Sequence, residues 1–390
     1  MTQHDPNAFD QALVPDLHVP ATRLLAICRQ LLPAYRRRHT IPVLGTVRID
    51  ASANGTTFRV TDLDIDITVT ADDLDTADPF AACVPFALLH RIAGSLDGII
   101  RISHRKGGDR YGFDQLTLAT EDGCSATVNL LCPVEDFPSA AEIADDEWQV
   151  IETSPADLRR MIDLARPCMS TEETRYYLNG ISFQRRPGRT TLRSIATDGH
   201  RLAMIDSAIE APEGLNIIMP TICVDAIRTL INPKANDPVL LRIFEQKRVR
   251  LTCGSIRVDC KLIEGTFPDY TRVIPEAETQ VSVTLTAAAL RRLSPFASQR
   301  QNAVVLSAGR ASIKSIDLGG EISTPVTMVV AREDGKQPLA TGWGFNLTYL
   351  AAQARLTPTF RMEMASPGGP ARVFGEDPEA MWLLMPMFRV

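Results

Sequence analysis

The sequence predicts an α+β fold of antiparallel sheets, arranged as three similar domains that each carry two helices. Three observations lead there. Amphipathic helical patterns recur six times, beginning near residues 21, 86, 155, 222, 287 and 347. Their interval stays at about 60–70 residues, as expected of a repeated supersecondary unit. Between them lie short runs in which apolar and polar residues alternate, closed by turn dipeptides, the pattern of half-buried strands. Strands outnumber helices and follow one another as meanders, whereas a parallel sheet would need strand and helix to alternate.

The helical segments come first. Residues 21–32 (ATRLLAICRQLL) end at Pro33, and residues 86–96 form the second pattern. Residues 155–165 (PADLRRMIDLA) follow Ser154, a residue suited to an N-cap; 222–231 are the fourth pattern; 287–296 follow Thr286, another cap; and 347–356 are the sixth. Alternation runs through residues 57–70 (TFRVTDLDIDITVT), 249–262 and 312–318, and Asn54-Gly55, Asp122-Gly123 and Asp334-Gly335 read as hairpin turns. Two short patterns recur at the scale of two units. Thr61-Asp62 is echoed by Thr197-Asp198, and Phe137-Pro138 by Phe267-Pro268. The polar stretches 145–148 and 276–280 divide the chain into domains at 17–146, 147–278 and 279–390. Residues 1–16 form a polar, Pro-containing extension expected to be disordered. Three similar domains in a row can form an arc, and two arcs meeting head to tail can close into a ring.

Composition bounds the function. The chain has 390 residues, 45% hydrophobic and 23% charged, as in soluble globular proteins, and this length suits two or three domains. No apolar run approaches the ~20 residues needed to cross a bilayer. The opening stretch has neither the basic start nor the apolar core of a secretory signal, so a cytoplasmic protein with no membrane partner is expected. A net charge of -6 argues against coating nucleic acid by bulk charge, while leaving room for a local basic surface built from arginine. Cys28, Cys83, Cys124, Cys132, Cys168, Cys223, Cys253 and Cys260 include no C-x-x-C pair and read as small buried hydrophobes of a reducing compartment. No phosphate-binding loop, H-E-x-x-H or G-x-S-x-G occurs, so no metal, cofactor or catalytic residue is expected. Asp198 and His200 would serve a hydrolase only with a nucleophile or metal beside them.

Four segments carry a family resemblance: RYYLNGISF at 175–183, LRSIATDGHRLA at 192–203, GTFPDYTRVIP at 265–275 and LLMPMFRV at 383–390. In this order and spacing they resemble the beta subunit of bacterial DNA polymerase III, the sliding clamp family. IPVLG at 41–45 and TDLDIDI at 61–67 match its first domain, and GFNLTY at 344–349 its third, so the likeness spans the chain from about Leu17 onward. The resemblance implies a head-to-tail homodimeric ring around double-stranded DNA, held without regard to sequence. It implies tethering of DNA polymerase III and other polymerases, the clamp loader, and mismatch-repair and ligase-type proteins that carry short linear motifs. A ring adaptor of the same fold serving a plasmid, phage or repair system is the alternative.

Carried over position by position, the resemblance implies a partner-peptide pocket. It comprises Leu178, Thr197, Gly199, His200, Arg201, Leu202, Pro268, Arg272, Val273, Asn346, Tyr349, Leu383, Leu384, Met385, Pro386 and Met387. Leu, Val, Met and Pro suit an apolar cleft for Leu and Phe side chains, and the adaptable methionines suit several partners. His200, Arg201, Arg272 and Asn346 supply polar contacts. Two buried anchors at ~1.5–3 kcal/mol each, less the cost of ordering, give an affinity modest enough for exchange. For DNA the resemblance implies Arg36, Arg37, Arg38, Arg175, Tyr176 and Tyr177; Arg23, Arg29, Arg159, Arg160, Arg166, Arg228, Arg291 and Arg292 decorate the helices. For the ring interface it implies an edge strand near residues 127–131, with Val128 and Leu130, meeting Phe296 of the next chain. The chain departs from the family pattern at Gln301, where an aromatic or apolar residue is usual. It also departs at Thr221-Ile222, where a basic pair is common, and in its Phe388-Arg389-Val390 ending, one residue longer than most.

Overall fold

The computed structural model describes residues 16–107, 112–139, 148–298, 302–315, 319–330, 343–366 and 368–387. The Asp334-Gly335 turn, Gln301, the Phe388-Arg389-Val390 ending and nearly all of the N-terminal extension lie outside these residues.

All six predicted helices form: α1 (Ala21–Leu31), α2 (Phe86–Ala93), α3 (Pro155–Ala165), α4 (Thr221–Leu230), α5 (Ala287–Leu293) and α6 (Leu347–Leu356). In α1 the buried residues Ala21, Leu24, Ile27, Cys28 and Leu31 fall at helical spacing, and each large one contributes about 1.5–3 kcal/mol by leaving water. Thr286 caps α5 by accepting from the Ala289 N–H, and Asn346 caps α6 by accepting from the Thr348 N–H. Helices α1, α3 and α5 each run into a 3-10 turn with proline second: Leu32–Ala34, Arg166–Cys168 and Ser294–Phe296. Proline fits the first turn of such a helix, where its missing N–H costs nothing, but blocks continuation of the α-helix before it. The device marks the first helix of each predicted pair.

The strands form two compact units. The first comprises Met1–Pro155 and Asp225–Lys261, the second Ala156–Val224 and Leu262–Val390. In the first, an eight-stranded sheet runs in the order Phe80–Pro85, Thr46–Ser52, Gly55–Thr61, Ile65–Ala71, Ile256–Lys261, Arg248–Cys253, Val239–Phe244, Trp148–Thr153. In the second, a nine-stranded sheet runs Asn216–Pro220, Gly180–Arg185, Thr191–Thr197, Arg201–Glu210, Ala380–Leu384, Ala371–Phe374, Thr359–Met364, Val281–Thr286, Thr327–Val330. Each unit also holds a four-stranded sheet. Both large sheets take strands from two of the three segments defined by the sequence repeat, because the pairings of Ile65–Ala71 with Ile256–Lys261 and of Arg201–Glu210 with Ala380–Leu384 join them. All these pairings are antiparallel, as meandering strands require.

Three sequence readings are refined. The alternating runs 57–70 and 249–262 are each a hairpin, turning at Leu63 (φ 77°) and Gly254 (φ 52°). The DLDID string keeps period two through its turn, so alternation alone does not reveal the reversal. Strand Ser125–Leu130 does lie at a sheet edge, but Val128 and Leu130 are 4% and 7% exposed and pack inside their own chain. An interface on this edge would use its backbone and Leu131, which is 63% exposed, while Phe296 is half-buried. Six of the eight cysteines are buried, whereas Cys132 is half-buried and Cys124 exposed.

One polar network fixes the second unit. Buried Arg193 grips buried Asp206 at 2.6 and 2.9 Å and donates to the Tyr270 hydroxyl at 3.2 Å. It thereby ties the segment after Phe267 to the sheet. Arg193→Ala would leave a buried carboxylate without its main partner and should cost about 3 kcal/mol. A fall in the urea midpoint measures this, and the double variant Arg193→Met/Asp206→Leu should recover much of it. An unchanged midpoint in the single variant would mean that Arg186, 3.2 Å from Asp206, suffices.

Candidate functional site

The TDGHR segment is a turn organised by its own side chains. Thr197 Oγ1 donates to the Arg201 carbonyl at 2.7 Å and accepts from the Gly199 N–H at 3.1 Å. Asp198 Oδ1 accepts from the His200 and Arg201 N–H groups at 2.9 and 3.0 Å, and Asp198 Oδ2 takes Arg201 Nε at 2.8 Å. Gly199 sits at φ 88°, a conformation that calls for glycine, and a Cβ there would lie 2.8 Å from Arg175 Nη1, the movable end of a flexible side chain. Asp198 is thus consumed by the turn, and the His200 ring lies along Tyr349 at 6.4 Å. Asp198 and His200 are therefore not joined in the acid–imidazole pair that a hydrolase needs.

The strands bring the tail to this turn. Arg201 pairs with Leu384 and Leu202 with Leu383, so the chain leaves the sheet at Met385 directly beside the turn. The Met385 N–H donates to the His200 carbonyl at 2.9 Å, and the Met387 N–H to the Gly344 carbonyl at 2.8 Å. Residues 385–387 are therefore stretched between the turn and the strand leading into α6. The start of α6 supplies Asn346 and Tyr349, and the Arg201 guanidinium stacks over the Tyr349 ring at 4.4 Å. Beneath, Leu178, Leu202 and Leu383 share one buried cluster with Ile195, Ile218, Phe267 and Tyr270. Pro268, Arg272 and Val273 sit on the exposed side of that segment, with Arg272 held to Asp269 at 3.0 Å. Val273, Met385 and Met387 remain 45%, 37% and 39% exposed, which leaves apolar surface for a partner to cover.

Sequence reasoning missed the floor residues Ile195, Ile218, Phe267 and Tyr270, which read as ordinary apolar core positions. It also missed a narrow cleft of about 20 Å³ behind Arg201 and Tyr349, walled by Cys168, Phe360 and Trp382. Burial pushes the Cys168 thiol up to about 12, so it acts there as an apolar wall.

The DNA candidates divide. Arg37 and Arg38 are exposed and have no ion pair among the described residues, whereas Arg36 donates to Asp62 at 2.9 Å. Arg175 is paired with Glu172 at 2.7 Å and lies against Gly199, so it serves the turn. Tyr176 is 54% exposed, while Tyr177 packs on the buried cluster. On the helices, Arg23, Arg159 and Arg160 are held by Asp73, Asp163 and Asp377, while Arg29, Arg291 and Arg292 stay exposed. Among the described residues no group of three or more His, Cys, Asp or Glu side chains could hold a metal, and no helix is long and apolar enough to cross a membrane.

Gly199→Ala should lower unfolding free energy by about 1 kcal/mol through its left-handed backbone, plus a steric part from Arg175. In the Arg175→Ala background only the backbone part should remain, as compared in thermal melts. Equal losses in both backgrounds would show that Arg175 gives way freely.

Comparison with known proteins follows this geometry. A family model for the central domain of the DNA polymerase III beta subunit matches residues 152–269. The beta sliding clamp of Caulobacter vibrioides is 30% identical over 383 residues, covering 95% of this chain and 99% of the relative. That of Pseudomonas aeruginosa is 31% identical over 253 residues, covering 63% and 64%. Among solved structures, the sliding clamp of Bartonella birtlesii bound to griselimycin matches with a TM-score of 0.82 at 27% identity, covering 96% of this chain and 100% of that one. The DNA polymerase sliding clamp of Caulobacter crescentus matches at 0.80 and 29%, over 96% and 100%. The likeness to the Caulobacter vibrioides clamp covers nearly the whole of either chain, and the chain accordingly belongs to the beta sliding clamp family of DNA polymerase III.

Proposed function

We propose that this chain is a DNA sliding clamp, a processivity factor that encircles duplex DNA and tethers DNA polymerase through the pocket formed by residues 197–201 and 385–387. The observation that carries the reading is the tail, held by backbone hydrogen bonds beside the TDGHR turn with Met385, Met387 and Val273 exposed. A partner's short linear motif would cover these apolar groups and meet His200 and Arg201 at their edge. Its modest affinity lets DNA polymerase III, other polymerases, the clamp loader and mismatch-repair or ligase-type proteins take turns. The chain is a non-catalytic subunit in this reading.

Two copies would close head to tail as a homodimeric ring of six domains, divided in each chain at 17–146, 147–278 and 279–390. Arg37, Arg38, Arg29, Arg291 and Arg292, exposed and without ion pairs among the described residues, are the candidates for phosphate contact. Such contacts are sequence-independent and salt-sensitive, and enclosure removes any need for them to be tight. The ring-adaptor alternative has no observation of its own to favour it.

Gel filtration should give a species of twice the 42.8 kDa chain mass. After loading, the protein should stay on nicked circular DNA and leave when the DNA is linearised. A monomer that ignores DNA topology would sink the clamp reading. Met385→Ser/Met387→Ser should weaken binding of a Gln- and Leu-containing polymerase peptide by tenfold or more, as two apolar contacts are lost, while dimer mass stays unchanged. An unaltered Kd by fluorescence anisotropy would move the pocket elsewhere.

A further inference from the structure

The turn that carries the pocket has a counterpart in the first compact unit. Thr61 Oγ1 donates to the Ile65 carbonyl at 3.0 Å and accepts from the Leu63 N–H at 3.1 Å. Asp62 Oδ1 accepts from the Asp64 and Ile65 N–H groups at 3.1 and 2.9 Å. Leu63 takes the left-handed place of Gly199, at φ 77°. The neighbouring strand arrives in the same register, with Cys260 opposite Ile65, and the Lys261 N–H donates to the Asp64 carbonyl at 2.9 Å, as Met385 does to His200. In these bonds residues 61–65 and Lys261 repeat residues 197–201 and Met385, while Asp62 Oδ2 takes Arg36 where Asp198 Oδ2 takes Arg201. Phe137 is buried like Phe267.

The side chains at matching positions differ in kind. Next along the ladder, the pocket pairs Leu202 with Leu383, whereas the counterpart pairs Asp66 with Asp259. Arg59 holds Asp66 at 2.6 Å and Arg250 holds Asp259 at 2.6 Å. Above them opens a groove of about 390 Å³. Its rim carries Arg248, exposed and without an ion pair among the described residues, and Lys261, half exposed and joined among them to Asp64, itself 69% exposed. So open a pair is worth little and is readily exchanged. Leu63, 46% exposed, is the apolar group beside them. Of the charged side chains lining the groove, Arg59, Arg248, Arg250 and Lys261 outnumber Asp64, Asp66 and Asp259 by one, and the surplus lies at the rim.

We infer that this groove is a second docking site, taking an extended peptide segment of a partner that presents a carboxylate to Arg248 and Lys261 beside an apolar side chain on Leu63. The inference rests on reading the first pocket as a peptide site. The charged floor makes the two sites selective. A Leu or Phe side chain pressed onto Asp66 and Asp259 would strip water from charges and gain nothing, so the apolar motif stays at the Met385 pocket and acidic segments go to the groove.

A display library of random peptides about ten residues long, selected on the full chain, supplies the probes. Each enriched peptide is titrated against wild-type protein, Arg248→Glu/Lys261→Glu and Met387→Ser. The inference expects a class of acidic peptides whose Kd rises at least tenfold on charge reversal and is unmoved by Met387→Ser. If no enriched peptide responds to charge reversal, the second site does not exist. Loss of the class sensitive to Met387→Ser would instead count against the first pocket, which keeps the two failures apart. Should charge reversal unfold the sheet, Arg248→Gln alone, expected to weaken the acidic class severalfold, replaces it, and an unchanged Kd there overturns the inference equally.

Discussion

The pairing of strand Arg201–Glu210 with strand Ala380–Leu384 is the constraint on which the candidate site depends. Its antiparallel register sets Arg201 opposite Leu384. Residues far apart in sequence then leave the same end of one sheet together, and a one-residue slip would turn Leu202 and Leu383 out of the buried cluster. Everything else follows from that register: the Met385 hydrogen bond to His200, the stretch of 385–387 toward Gly344, and the stacking of Arg201 on Tyr349. The Arg193–Asp206–Tyr270 network fixes the same sheet to the segment bearing Val273. Backbone bonds thus set the place, and side chains decide what binds there.

The same backbone arrangement in the first unit makes that division visible. A Thr-Asp turn closed by its own side chains, followed by a strand arriving in fixed register, is indifferent to whether Leu or Asp comes next along the ladder. With Leu202 and Leu383 the result is an apolar floor. With Asp66 and Asp259 it is a floor of ion pairs whose charge must be neutralised by Arg59 and Arg250. An internal repeat can in this way conserve geometry while its chemistry diverges.

Much of this was legible in the sequence, and the reasons for the rest are physical. The helices were readable because burial at helical spacing, caps such as Thr286 and stops such as Pro33 all act within a few residues. The reversals at Leu63 and Gly254 were hidden because alternation survives a tight turn. The Thr-Asp echo was visible as letters, but its meaning lay in matched hydrogen bonds. The pocket residues came from a family likeness, whereas floor members such as Ile195 and Phe267 read only as ordinary core positions. The resemblance implies an interface role for Val128 and Leu130, and sequence does not correct it, because an apolar residue on an edge strand reads the same whether it faces a partner or its own sheet.

Arginine shows most sharply where sequence stops being informative. Arg36, Arg37 and Arg38 are chemically equivalent as letters, yet Arg36 is drawn to Asp62, on the turn that mirrors the pocket turn, and its two neighbours are not. Arg175 was read as a phosphate ligand, and its guanidinium instead rests between Glu172 and Gly199. An ion pair is a tertiary contact between groups that sequence leaves unrelated, and it decides whether a cation is free to meet phosphate. In an acidic chain of net charge -6, three of the six helix arginines compared this way are already answered by a carboxylate. The few that remain open are sparse, and sparse phosphate contact suits a protein that slides along DNA.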